Sequence, residues 1–189
     1  YGLSECSEHC ESVFNLGGVE AVAHAMRMIP DDVDSQACGV KVFHRLFSGG
    51  TRALSPGSPQ SISLIKVTVG AMKSAQIASL QADAITLIWL MSTRDDACAR
   101  CAVDFGAVGL LLSAARTHLD SSSMQEKCFD ALHALAVDDV ARTVIAAEGG
   151  VDVILDGMEK YISERSVQEA GLSALRALSA ERDCKKMID

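Results

Sequence analysis

Aromatic residues make up only 4% of this 189-residue sequence, and proline occurs three times, at Pro30, Pro56 and Pro59. So few rings leave a β-sandwich core poorly supplied. So few prolines leave long stretches free to be helical. No Lys/Arg cluster exceeds a pair and the formal charge is −8, so the basic face that holds a phosphate backbone is missing and nucleic acid is disfavoured as a partner. No apolar run reaches the length of a membrane span. No stretch of the sequence reads as a signal peptide, and no Gly-x-Ser-x-Gly, P-loop or His-Glu-x-x-His motif occurs in it.

What is present is aliphatic. Nearly half of the residues are apolar, mostly Ala, Leu, Val, Ile and Met, which suit closely packed helices in one domain of ordinary size. The first residue is Tyr1 rather than Met, and the sequence reads as a segment of something longer. The seven cysteines are odd in number and mostly sit inside helical patterns, which points to reduced thiols in a cytosolic or nuclear setting.

The sequence repeats itself. Segments laid over one another from Val19, Leu64, Val108 and Val151 are spaced by 45, 44 and 43 residues. At offset +17 every segment has glutamine: Gln36, Gln81, Gln125 and Gln168. At +15 stand Asp34, Ser79, Ser123 and Ser166, all residue types that cap a helix N-terminus. Ser123-x-x-Glu126 and Ser166-x-x-Glu169 have the form of capping boxes. A helix is therefore predicted to start at +15, with an apolar stripe at +21, +24 and +27. The stripe reads Val40, Phe43, Leu46; Ile85, Ile88, Met91; Phe129, Leu132, Leu135; and Leu172, Leu175, Leu178. Offset +20 is small throughout (Gly39, Ala84, Cys128, Gly171), which would let a neighbouring helix approach closely.

A second apolar helix is predicted from offset 0 to about +11, with inward residues at +3 and +7. Before three of the segments lies a short helical stretch ended by glycine, at Gly17-Gly18, Gly106 and Gly149-Gly150, which fits a tight turn after a helix end. The second segment departs from this pattern. Ser48-Gly49-Gly50 through Ser55-Pro56-Gly57-Ser58-Pro59 is too rich in Gly and Pro for a helix and predicts a mobile surface loop.

These residues resemble an armadillo repeat, above all Glu148-Gly149-Gly150-Val151 with Val167-Gln168-Glu169-Ala170-Gly171-Leu172, and Ala99 to Val108 with Met124-Gln125-Glu126. The HEAT repeat is the nearest confusion. The resemblance implies an all-α fold, a right-handed α-solenoid of about four armadillo-type repeats over residues 4–48, 49–93, 94–137 and 138–179. Residues 180–189 would open a truncated further repeat. It also implies an extended concave face for a partner peptide or helix, hence a scaffold or adaptor rather than an enzyme. The outward positions on that face are Lys41, Thr86, Asp130 and Ser173 at +22, His44, Trp89, His133 and Arg176 at +25, and Arg45, Leu90, Ala134 and Ala177 at +26. Importin-type members carry Trp at +22 and Asn at +26. Both are absent here, which argues against nuclear-import cargo. An alternative is a regulatory or self-association segment of a larger multidomain protein, an enzyme with its catalytic part elsewhere among the options.

Trp89 has two readings: a binding hot spot, or a ring packed under the irregular stretch near Pro56. No metal, cofactor or catalytic site is expected. Cys6, His9 and Cys10, and Cys98-x-x-Cys101, fall in the opening helices of different repeats, too far apart for four converging zinc ligands. His24, His44, His118 and His133 have no nucleophile at a motif spacing. The acidic pairs Asp31-Asp32, Asp95-Asp96 and Asp138-Asp139 read as solvated caps in the links.

Overall fold

In a computed structural model, residues 12–13, 16–48, 58–74 and 77–180 are described. Among them the chain forms ten α-helices and no strand. They are α1 (Gly18–Met28), α2 (Val33–Ser48), α3 (Pro59–Ser74), α4 (Ala78–Ser92) and α5 (Asp96–Asp104), followed by α6 (Ala107–Thr117), α7 (Ser122–Leu135), α8 (Asp139–Ala147), α9 (Gly150–Lys160) and α10 (Arg165–Leu178). The fold is all-α.

The helices lie in two layers. α2, α4, α7 and α10 pack side by side in chain order, and α1, α3, α6 and α9 run against them in the same order. The short α5 and α8 fill the joins between successive pairs. In each aligned segment the 0-to-+11 stretch thus supplies one layer and the glutamine-bearing helix the other. The centre is apolar on every side. α3 and α4 are buried around most of their circumference, from Leu64 and Ile65 to Leu87 and Ile88, as helices flanked on both sides must be. Full burial of a ring such as Phe129 or Phe43 contributes about 1.5–3 kcal/mol each.

The turns follow from glycine. Gly17, Gly106 and Gly149 have φ of 76°, 82° and 81°, a left-handed conformation that costs other L-residues 1–2 kcal/mol or so. All three stand at offset −2. The second segment has Ile62 there and makes no such turn. Instead α3 begins at Pro59, where the missing N–H costs nothing, and the Ser58 hydroxyl accepts the Ser61 amide. The expected loop therefore stops short of Pro59; its residues 49–57 lie outside those described, as do Cys6, His9 and Cys10.

Two expectations need correction. The helix caps stand at +13, not +15. Ser121 Oγ accepts the Met124 amide at 3.3 Å, Asp32 accepts from Ser35, and the other two segments have Ile77 and Glu164 as caps without a side-chain bond. Ser123 and Ser166 sit inside the first turn, so neither capping box exists. In the first and third segments good cap residues stand at both places and the chain takes the earlier one; in the other two the helix starts early without a side-chain cap. The apolar stripe is also not buried everywhere: Leu172 is 60% exposed, whereas Val40, Ile85 and Phe129 at the same offset are fully buried. Nothing among the described residues packs beyond α10.

The acidic pairs do cap helices. Asp95 accepts from the Ala97 amide and Asp138 from the Ala141 amide, both at 2.9 Å, contacts that contribute about 0.5–2 kcal/mol apiece.

Candidate functional site

Three of the four recurring glutamines share one structural task. Gln36 Nε2 donates to the carbonyls of Met26 and Ile29 at 2.8 and 3.0 Å. Gln125 donates to Ala115 and His118 at 2.7 and 3.2 Å, and Gln168 to Met158 and Tyr161 at 2.7 and 3.0 Å. Each amide thus closes two carbonyls that the preceding helix leaves without an intrahelical partner at its C-terminus. Gln81, also buried, has its Oε1 2.8 Å from His118 Nε2, which ties the second segment to the third. Basic side chains fasten the other layer: Lys73 Nζ donates to Phe105 O at 3.0 Å and Arg116 to Glu148 O at 3.3 Å, each at the carbonyl just before a turn glycine. Sequence reading missed both.

With the helices fixed in this way, the edges of α2, α4, α7 and α10 form one row. Lys41, Arg45 and Arg176 are exposed, and His44, Thr86, Trp89, Leu90, Asp130, His133 and Ser173 are half-buried. Ala134 is a correction: it is buried and contributes nothing outward. The row is continuous. His44 Nδ1 lies 3.2 Å from Asp83 across the α2–α4 join. Thr86 and Trp89 share a cavity of about 180 Å³ with Glu126, Lys127 and Asp130 across the α4–α7 join. Glu126 and Asp130 then border a second cavity, about 220 Å³, with Ser166, Glu169 and Ser173 of α10. His133 Nδ1 reaches Ser173 O at 3.1 Å.

Asp83, Glu126, Lys127 and Glu169 were not among the sequence candidates. They stand at +18 and +19, one helical turn before the +22 positions and on the same face, and that spacing could have found them. Two candidates are less available than their position suggests: the hydroxyls of Thr86 and Ser173 donate back to Ala82 O and Glu169 O of their own helices.

Trp89 packs against the core on one side and lines the first cavity on the other. The Pro56 stretch, the alternative cover for its ring, lies outside the described residues. Partial burial, then the neighbouring Glu126 carboxylate, pushes the Asp130 carboxyl above its usual range, while His133 and Lys127 pull it back. Two half-buried carboxylates four residues apart on α7, beside an indole face, make a groove with an anionic side and an apolar floor. Such a groove can hold an extended segment or a helix edge by its side chains.

The C-x-x-C is not arranged for redox chemistry. Cys98 is buried, its Sγ donates to Asp95, and burial first, then that hydrogen bond, pushes its pKa up to about 12, away from the thiolate a reactive cysteine needs. Among the described residues, no three His, Cys, Asp or Glu side chains gather as metal ligands, and no single helix is long and apolar enough to cross a membrane. Compared with protein-family models, curated proteins and solved structures, the chain matches none of them.

Proposed function

We propose that this chain is a right-handed α-solenoid of about four armadillo-type units that acts as an interaction scaffold, holding a peptide or helix of another protein along the row from Lys41 to Arg176. The single observation carrying this reading is the continuous groove running from Trp89 past Asp130 to Ser173. It crosses three successive helices of one layer at equivalent positions. The layer behind it is stapled by glutamine and by apolar contacts, so the groove is preformed and little ordering entropy opposes binding. The row carries an indole, both signs of charge and histidines, a composition suited to side-chain recognition. A cytosolic or nuclear setting accords with the unpaired thiols Cys38, Cys98, Cys101 and Cys128.

The test is selection of short peptides on the 189-residue chain, followed by affinity measurements on variants. Trp89→Ala and Asp130→Lys are each expected to weaken the selected peptides at least tenfold, about 1.4 kcal/mol, with melting temperature nearly unchanged. Peptides that bind the Trp89→Ala/Asp130→Lys double variant as well as the parent would refute the reading.

A further inference from the structure

The joins between successive segments pair the same two offsets. A residue at +21 of one segment faces a residue at +6 of the next, as Phe129 faces Gly157, where an added Cβ would lie 2.6 Å from the ring. The second join pairs Ile85 with Ala114, both buried. The first pairs Val40 with Gly70, keeping the glycine of the third join without the ring that fills it. Space is left there. A Cβ on Gly70 would meet nothing within 4 Å, whereas Gly39, Gly157 and Gly171 each have a side chain in that place. Glycine inside a helix is destabilising relative to alanine, and at Gly70 no contact requires it. What it leaves open is a solvent-facing cavity of about 220 Å³ at the α1–α3 join, with Met26, Val67 and Ala71 as its apolar floor. An apolar cavity of about 150 Å³ holds benzene, so this one has room for a single ring with a short arm.

Its polar groups stand at two depths. Gln36, only 3% exposed, lines the cavity. Its Nε2 is committed to the Met26 and Ile29 carbonyls, and those two acceptors fix which end of the amide is which. Its Oε1 accepts no hydrogen bond among the described residues. The matching Gln125 Oε1 is shut in behind Gly157, 2.8 Å from where a Cβ would be, a closure that the first join lacks. At the mouth stand two exposed cations, Arg27 from α1 and Lys66 from α3. The Arg27 guanidinium donates to Ser63 Oγ at 3.1 Å, and Lys66 Nζ rests 5.6 Å from the centre of the Phe105 ring. Neither has a carboxylate partner, and no described residue lining the cavity is acidic. On a chain of net charge −8, that is a mouth for an anion, over an apolar floor with one buried acceptor beneath.

We propose that this cavity binds a small aromatic acid. The carboxylate lies between Arg27 and Lys66, the ring rests over Met26, Val67 and Gly70, and a ring hydroxyl or N–H donates to Gln36 Oε1. A concave, mostly apolar site with a few placed polar groups is the ordinary form of a small-molecule pocket, and its size here admits one ring. The cavity shares no residue with the groove that runs past Trp89, so this inference does not rest on the groove reading.

Titration of para-hydroxyphenylacetate into the 189-residue chain, followed by saturation-transfer NMR, tests it. Saturable binding is expected. It should be lost in Gly70→Phe, whose ring occupies the cavity, and weakened about tenfold or more in Arg27→Ala/Lys66→Ala, with the helical circular dichroism of both variants unchanged. Tyramine, which keeps the phenol but carries an ammonium group, should bind about tenfold more weakly or worse. Phenylacetate, which lacks the hydroxyl, should bind about threefold more weakly. No saturable binding at millimolar probe would overturn the proposal. So would binding that survives Gly70→Phe in the folded variant, binding indifferent to the loss of both cations, or tyramine binding as well as the acid. Phenylacetate binding as well as the phenol would overturn the Gln36 contact.

Discussion

Gly39 of α2 lies directly against the Met26 side chain of α1, so that a Cβ at position 39 would run into the thioether. The same relation holds between Gly171 and Met158, where the sulfur would lie 2.5 Å from the added carbon. These are offsets +7 and +20. The other two segments have Ala71 with Ala84 and Ala115 with Cys128 at those offsets, all buried. A large residue faces glycine, and a small residue faces a small one, so each pair fills a similar volume between its two helices.

Gly39→Ala is therefore expected to destabilise the chain by about 1–3 kcal/mol through overpacking, despite the better helix propensity of alanine. In a Met26→Ala background, the obstruction is gone and the same change should be neutral or stabilising, by up to about 1 kcal/mol. Denaturant unfolding of the four proteins in the cycle reads this directly. A Gly39→Ala single variant at least as stable as the parent would contradict it.

A second contrast concerns glycines alone. Gly149 has a φ of 81° with Arg116 3.2 Å from where its Cβ would be, whereas a Cβ on Gly70, within α3, meets nothing within 4 Å. Gly149→Ala should cost about 1–2 kcal/mol, and Gly70→Ala should add about 0.5–1 kcal/mol. Thermal melts of opposite sign check the pair.

Gln125 is fully buried, and its Oε1 has no hydrogen-bond partner, so its place depends on the two carbonyls its amide satisfies. Gln125→Leu should lose about 1–3 kcal/mol by leaving the Ala115 carbonyl buried and unpaired, while the His118 carbonyl keeps the Ser121 amide. Gln168→Leu should lose less, because its site is only half-buried and water can replace the amide. Equal losses at the two positions would mean that the recurring residue matters for its shape and not for its donors.

The thiols give a pH prediction. Burial raises the Cys128 pKa from an ordinary 9.0 to about 12, and burial with the Asp95 hydrogen bond does the same at Cys98. The folded chain thus keeps protons that the unfolded chain releases above its own pKa. Stability is unaffected below about pH 9 and falls as pH climbs from there toward 12. In Cys98→Ala/Cys128→Ala the alkaline slope of stability should flatten. At neutral pH, thiol labelling should reach the exposed Cys38 long before either buried cysteine.

Much of this architecture is written in the residues. The 43-to-45-residue spacing and the small offset +20 run through all four segments, whereas the turn glycines and the glutamine-to-carbonyl contact recur in three of them, the second segment having Ile62 at the turn position and Gln81 on His118. The cap position is not legible from residue type: Ser121, Ser122 and Ser123 are equally good caps, yet Ser121 takes the role, and Ile77 and Glu164 stand at the same offset with no side-chain bond at all. The exposure of Leu172 is not legible either, since an apolar residue at a stripe position tells only that the site suits burial, and covering it requires a neighbour. The groove was half legible: Trp89 and Asp130 follow from the register, but their closeness to Glu126, Lys127 and Glu169 depends on how α4, α7 and α10 sit side by side.

Trp89 is the sole tryptophan of the sequence, so its emission reports on one point of the groove and nowhere else. Titrating a selected peptide into the chain while following that emission tests the binding-scaffold account most directly. The account predicts a saturable change in Trp89 fluorescence whose midpoint coincides with the binding midpoint measured independently. Tight peptide binding that leaves Trp89 emission unchanged would contradict it.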